Sequence, residues 1–336
     1  MACLRREAGA FLFWMLAWKS YSLHAIILGR PDICKRSREK FGESLASPFS
    51  CNNLYFQQET IMIQDIYPEH LENSYRDIMP GEKDRVLTFD HGKVAVRYEE
   101  EQLIFPTYGE LADVPCVYAF AMANHLYFLA LDDVDAPEYA RYSLQELRTL
   151  KLNGNQDIFA VYTGFHLWKW DRDNRFCGAC GHALEYVHDE RAKCCPVCKN
   201  RVYPRINPAV IVGVINGEKL LLTKYKTGFR HNALVAGFTE IGETAEQTVE
   251  REVMEEVGLH VKNIRYYKSQ PWGIASDLLM GFYCEVDGDD HILRDDHELG
   301  YAEWVTREDI VLQPSDYSLT NEMMKRFKEG KIKADS

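Results

Sequence analysis

The stretch from Gly237 to Leu259, Gly-Phe-Thr-Glu-Ile-Gly-Glu-Thr-Ala-Glu-Gln-Thr-Val-Glu-Arg-Glu-Val-Met-Glu-Glu-Val-Gly-Leu, constrains what this chain can fold into more tightly than any other. Thr244 and Gln247 form a capping box, and Gly258 suits a left-handed helix stop, so one helix is expected over residues 245–257. Ala245, Val249, Val253 and Val257 make its buried stripe, while Glu252, Glu255 and Glu256 stand at i, i+3 and i+4 and project together from another face. Carboxylates crowded in this way repel one another and destabilise the helix unless a cation neutralises them. Hard oxygen donors with room for water suit Mg²⁺ or Mn²⁺. A glutamate-rich helix face is ordinarily just solvated; the surrounding loop and glycines make the difference here.

The second constraint is Cys177-Gly-Ala-Cys180 and, after residues 181–194, Cys195-Pro-Val-Cys198. Four thiolates on two tight turns can close a tetrahedral shell around Zn²⁺, and a closed four-sulfur shell has no open position, so this zinc is expected to be structural. Adjacent Cys194 competes for a ligand position, but only Cys195 completes the second CxxC. The remaining cysteines, Cys3, Cys34, Cys51, Cys116 and Cys284, are scattered singly. Clustered CxxC pairs in a large chain point to metal rather than a secreted disulfide framework, hence to a reducing, cytoplasmic setting.

The balance of 39 Lys and Arg against 51 Asp and Glu gives a formal net charge of −12. Such a molecule lacks the basic footprint of a general nucleic-acid binder, so an anionic substrate needs a metal ion or a local cluster of cations. Phe11 to Trp18, after Arg5 and Arg6, outlines a signal peptide but is too short to cross a bilayer, and no small-residue cleavage site follows cleanly. Residues 1–61 are expected to be a non-native or disordered leader, because Gln58 to Met62 can be encoded by a ribosome-binding sequence followed by ATG, with Met62 the true start. No membrane association is expected.

From Met62 onward, strand-like alternation at Arg85–Phe89, Lys93–Tyr98 and Val117–Leu131 marks an N-terminal α+β domain over 62–140. Leu144, Leu147, Leu150, Phe159, Tyr162, Phe165, His166 and Trp170 carry a helical pattern through a connector at 141–176, a stripe read as core or dimer seam. A zinc ribbon at 177–204 follows, and then a mixed α/β domain over 205–330. Its signals are strands at Ala209–Ile215 and Leu220–Thr223 around a hairpin turn at Asn216-Gly217, strands at Arg265–Ser269 and Leu279–Val286, and a terminal helix at Asn321–Phe327.

With every fixed position of its box filled between Gly237 and Leu259, the chain resembles the Nudix hydrolase superfamily. The resemblance implies a C-terminal Nudix α/β/α sandwich in an α+β protein. It makes Glu252, Glu255 and Glu256 metal ligands, pairs Glu243 with Arg251 to hold the loop on the helix, and uses Gly237, Gly242 and Gly258 where the backbone bends closely. The order of zinc ribbon, Tyr203-Pro204, Nudix box and Ser269-Gln270-Pro271-Trp272 is similar to the NADH pyrophosphatase family. That family cuts NAD(H) into NMN(H) and AMP, and removal of NAD caps from RNA 5′ ends is a further implied activity. Its signature continues Pro-Phe-Pro where this chain has Gly273-Ile274-Ala275, so diphosphate hydrolysis is better supported than the choice of NAD(H).

Carried over residue by residue, the resemblance stacks Phe238 and Trp272 on a substrate ring, lines the pocket with Gln270 and Tyr203, makes Glu298 a further metal-associated or base carboxylate, and implies a homodimer. Each has a plainer reading: Trp272 as core, Glu298 as a surface acid. Two other functions compete: hydrolysis of another nucleoside diphosphate conjugate such as ADP-ribose, and a non-catalytic nucleotide sensor or RNA-binding ribbon protein. The intact carboxylate set and the acidic charge weigh against the latter.

Overall fold

The computed structural model describes residues 62–111, 114–228, 231–314 and 316–334; the expected leader at 1–61 lies outside them. The N-terminal part is built from β1 (Leu71–Glu72), β2 (Arg85–Leu87), β3 (Phe89–Asp90), β4 (Lys93–Glu99), β5 (Gln102–Ile104), β6 (Cys116–Met122), β7 (His125–Ala130) and β8 (Ala140–Ser143). These strands form two sheets, β1-β6-β7-β2 and β3-β4-β5 with β8 on β4. The apolar run from Val117 to Leu131 is a hairpin, turned at Ala123 and Asn124, which adopt positive φ of 50° and 62°.

The helical connector resolves into α1 (Leu144–Leu147), capped by Ser143, and α2 (Gln156–Asp173). Ile158 to Tyr162 are all buried, so this stretch of α2, after the polar first turn of Gln156 and Asp157, is apolar all round and lies within the core rather than on its surface. Gly164 permits this approach: a Cβ there would meet Leu87 Cδ1 at 2.3 Å.

The ribbon strands β9 (Glu185–Tyr186), β10 (Lys193–Cys194) and β11 (Arg201–Val202) form one small sheet. It is tied to the end of α2 by a buried ion pair, Lys193 Nζ to Asp171 Oδ1 at 2.6 Å, with the Tyr186 hydroxyl donating to the same carboxylate. Hydrogen bonds from Lys193 Nζ to the carbonyls of Asp171 (3.0 Å) and Asn174 (3.2 Å) complete the ammonium's coordination, which a buried charge requires.

The C-terminal sheet is ordered β15-β16-β12-β13-β17 with β14 beside β12, its strands being β12 (Asn207–Asn216), β13 (Lys219–Tyr225), β14 (Val235–Phe238), β15 (Val261–Trp272), β16 (Asp277–Val286) and β17 (Leu299–Thr306). β12 runs parallel to β16 and antiparallel to β13 and β14. Alternation along β12 feeds two cores. Val210, Val212 and Val214 face α3 (Ala245–Val257) with Val249, Val253 and Val257, whereas Ile211 and Ile215 face α4 (Leu319–Lys328) with Met323, Met324 and Phe327. The result is the expected α/β/α sandwich. Adjacent Met62 and Ile63 divide between cores, Met62 joining the cluster under α4 and Ile63 the N-terminal cluster. Among the described residues no helix is long and apolar enough to cross a membrane.

Candidate active site and metal centres

The helix expected over 245–257 forms with the foreseen ends. Thr244 accepts from Gln247 N at 3.2 Å while Gln247 returns a bond to Thr244 N at 2.9 Å, and Gly258 stops the helix at φ 68°. The carboxylates expected on one face stand at different depths: Glu256 is buried, Glu252 partly buried and Glu255 exposed.

Arg251 organises the loop. Its Nε and Nη2 hold both Glu243 oxygens at 2.6 and 3.0 Å, its Nη2 donates to Phe238 O at 2.8 Å, and its Nη1 reaches Glu252 at 2.8 Å and Glu255 at 2.9 Å. The guanidinium, with the Glu240 N–H and Thr248 hydroxyl, holds the Glu243 carboxyl down to about 2. Gly237 lies under Glu252, where an added Cβ would fall 1.9 Å from the carboxyl carbon.

Glu256 lacks such a partner. Its Oε1 accepts a long 3.4 Å bond from Ala236 N, and its Oε2 is buried without a hydrogen-bond partner. Burial, reinforced by Glu298, Glu252 and Asp295, pushes its carboxyl up to about 8. Glu252 is also raised, by burial first. A buried, unpartnered carboxyl facing other carboxylates, with the guanidinium beside them already engaged, is the arrangement a divalent cation would satisfy. The donors are all oxygens, which fits Mg²⁺ or Mn²⁺.

Glu298 is exposed but close enough to act electrostatically on Glu252 and Glu256. Tyr225 was not foreseen. A bulge between Lys224 and Tyr225 interrupts the β13–β17 register, and the half-buried phenol lies among Glu256, Glu298 and Glu252, its ionisation raised by burial and then by those charges. Bulges commonly re-aim a side chain beside a site. Sequence alternation carries no signal for one.

The expected substrate contacts separate. Phe238 is 53% and Tyr203 52% exposed, with the Tyr203 hydroxyl donating to Glu190 at 2.9 Å. Trp272 is partly buried, edge-on to Tyr162 at 5.6 Å with the Arg148 guanidinium 5.5 Å from its ring centroid. Gln270 is fully buried. Strand register nevertheless aligns Phe238, Ala209, Leu279 and Gln270 in one row across β14, β12, β16 and β15.

At the ribbon, Cys177, Cys180, Cys195 and Cys198 bring their sulfurs within 4.8 Å of one another, which among the described residues is the one group of three or more metal-ligating side chains so gathered. The Cys180 sulfur lies 3.4 Å from those of Cys195 and Cys198, near the ~3.8 Å edge of a tetrahedral Zn–S₄ shell. Amide N–H groups, that of Ala179 first, pull the Cys177 thiol down to about 6. Cys194 stands outside the set.

Residues 172–203 match the NADH pyrophosphatase zinc ribbon domain and residues 205–327 the NUDIX domain. The chain carries a Nudix domain behind an NADH pyrophosphatase zinc ribbon. Among curated proteins, the chain is similar to the NAD-capped RNA hydrolase NudC of Yersinia pestis, 41% identical over 155 residues that cover 45% of this chain and 58% of the relative. The NudC of Yersinia pseudotuberculosis matches to the same extent. The chain thus spans little more than half the length of these relatives. A Nudix hydrolase structure from Nitrosomonas europaea matches at 24% identity with a TM-score of 0.42, over 47% of this chain and 92% of that one.

Proposed function

We propose that the chain hydrolyses the diphosphate bond of NAD(H), yielding NMN(H) and AMP, and that NAD-capped RNA 5′ ends are a second substrate class. The observation that carries this reading is the orphaned, buried Glu256 carboxyl set among Glu252, Glu298 and Tyr225 beside the Arg251 clamp, in a chain 41% identical over 155 residues to an NAD-capped RNA hydrolase. Glu252, Glu255 and Glu256, with Glu298, would hold Mg²⁺ or Mn²⁺. When bound, such ions neutralise adjacent phosphate charges and lower the pKa of an attacking water.

The chain's own groups do the rest. Arg251 and Glu243 fix the loop so that the Glu252 carboxylate cannot drift. Burial holds the Glu256 carboxyl up, near 8, and a cation held beside it would favour its carboxylate form. Exposed Phe238 and Tyr203 offer rings to a planar base, while Gln270 anchors the far end of the Phe238 row and Trp272 stands two residues further along β15, in the row of Asp277 and Asn207. The four thiolates imply a structural zinc and a reducing, cytoplasmic setting. The exposed Tyr203 and Phe238 rings suit a homodimer in which two copies wall one pocket.

The test is product analysis with NAD⁺, NADH, NAD-capped RNA and ADP-ribose in Mg²⁺ or Mn²⁺, alongside Glu256→Gln. NMN(H) and AMP formed by the wild type, with turnover lowered more than ~100-fold in the variant, support the reading. Cleavage of ADP-ribose alone would transfer it to that substrate.

A further inference from the structure

We infer that Gln64, at the start of the N-terminal domain, is a positioning residue of the substrate site, acting through Gln270. The inference rests on the dinucleotide reading above.

Gln270 is fully buried, and its amide is satisfied from three directions. Its Oε1 accepts the Leu319 N–H at 2.7 Å, one of the otherwise unpaired donors at the first turn of α4, and its Nε2 donates to Tyr317 O at 2.6 Å and to Gln64 Oε1 at 3.3 Å. Gln64 in turn donates from Nε2 to Ser269 O at 3.2 Å. One side-chain amide thus spans a backbone carbonyl and the next residue's side chain on β15. The pairing allows one orientation of both amides: reversing Gln64 would set its carbonyl against Ser269 O, and reversing Gln270 would set its NH₂ against the Leu319 N–H.

A second set of bonds, joined to the first through the backbone of Tyr317-Ser318-Leu319, leads toward the other end of the row that holds Gln270. Ser318 Oγ donates to Gln313 Oε1 at 2.8 Å, Gln313 N donates to Asn321 Oδ1 at 2.7 Å, and Gln313 Nε2 donates to Asn232 O at 2.8 Å. Asn232 leads into β14, which carries Phe238. The strand bearing Gln270 and the segment entering the strand of Phe238 are therefore both tied by side-chain amides to the stretch from Gln313 to Asn321 that begins α4, with Gln64 at the N-terminal end. Fully satisfied buried networks specify a single arrangement, and removing a member leaves a buried N–H without an acceptor. Here the freed group is Gln270 Nε2, in register with the exposed ring proposed to hold the base.

The experiment uses the full chain with Gln64→Ala, which removes both bonds, and Gln64→Glu, which keeps an acceptor for Gln270 but sets a carboxylate oxygen against Ser269 O. For Gln64→Ala the KM for the dinucleotide should rise about tenfold with kcat within about twofold of wild type, and Gln64→Glu should share the rise in KM. Hydrogen exchange should accelerate in Gln64→Ala at 268–272 and 316–320 and carry through to 232–238. An unchanged KM in Gln64→Ala, a lowered melting temperature with intact kinetics, or a Gln64→Glu variant with the wild-type KM would overturn the inference. If the wild type cuts no dinucleotide, the functional reading falls, and exchange decides the network: acceleration reaching 232–238 upholds the coupling, while a change confined to the neighbours of Gln64 refutes it.

Discussion

Gly237→Ala should separate folding from catalysis. A Cβ at this position would lie 1.9 Å from the Glu252 carboxyl carbon, whereas carbon atoms in contact stand about 3.5 Å apart, so the carboxylate must retreat by roughly 1.6 Å. Gly237 is not among the positive-φ glycines, so alanine suits its backbone. The obstructing atoms end a flexible side chain, and the expected stability cost is that of an off-rotamer glutamate, about 0.5–1.5 kcal/mol. The catalytic cost is larger, because a ~1 Å misplacement of a site group is worth about 10²-fold. Melting curves and kcat across a Mg²⁺ titration would show a nearly wild-type fold with turnover down about a hundredfold. Adding Glu252→Asp, which shortens the obstructing side chain, should restore part of the loss. Turnover within about threefold of wild type in Gly237→Ala at ordinary Mg²⁺ would refute the claim that this glycine exists to seat Glu252.

Three further outcomes are expected. Because the folded Glu256 carboxyl stands near 8 against an ordinary value of 4.5, the folded state binds the extra proton between these limits, so metal-free protein should lose stability as pH rises from about 4.5 to 8, and Mg²⁺ should flatten that slope in thermal melts. A metal-free slope of the opposite sign would contradict the burial argument. Metal analysis should give one zinc per chain, and a Cys177→Ser, Cys180→Ser double variant should melt earlier while any residual chemical step is spared; an unchanged melting temperature would count against a structural zinc. Trp272→Ala should cost somewhat less than the ~3–5 kcal/mol of a fully buried tryptophan and impair all substrates alike if the ring serves mainly to pack on Tyr162; an unchanged melting temperature with a raised KM would instead support the stacking role.

What could be read from the sequence was local. The helix of Glu252, Glu255 and Glu256, its caps, and the four ribbon sulfurs are set by residues a few positions apart, and each is found as expected. The depth of each glutamate was not legible, because Glu256 is buried by Ala236 and the Glu298 loop, which periodicity cannot place. The Val117–Leu131 run read as one strand-like region because its turn, Ala123-Asn124, lacks glycine. The hairpin turn falls at Gly217 and Glu218, one residue beyond the Asn216-Gly217 reading, because β12 extends through Asn216. Gln64, Tyr225 and the packing of Trp272 depend on partners far away in the chain or on a bulge, and a single sequence gives no means of pairing them.

The division of Met62 and Ile63 between two cores has a consequence for dissecting the molecule. Neighbouring side chains on one short segment are fully enclosed by different halves of the protein, so neither half can melt without withdrawing a plug from the other. Calorimetry should then record a single cooperative transition for the N-terminal and Nudix parts. A shortened chain beginning near the ribbon would carry an open socket under α4 where the Met62 side chain belongs, and would precipitate or require a substitute hydrophobe at that spot.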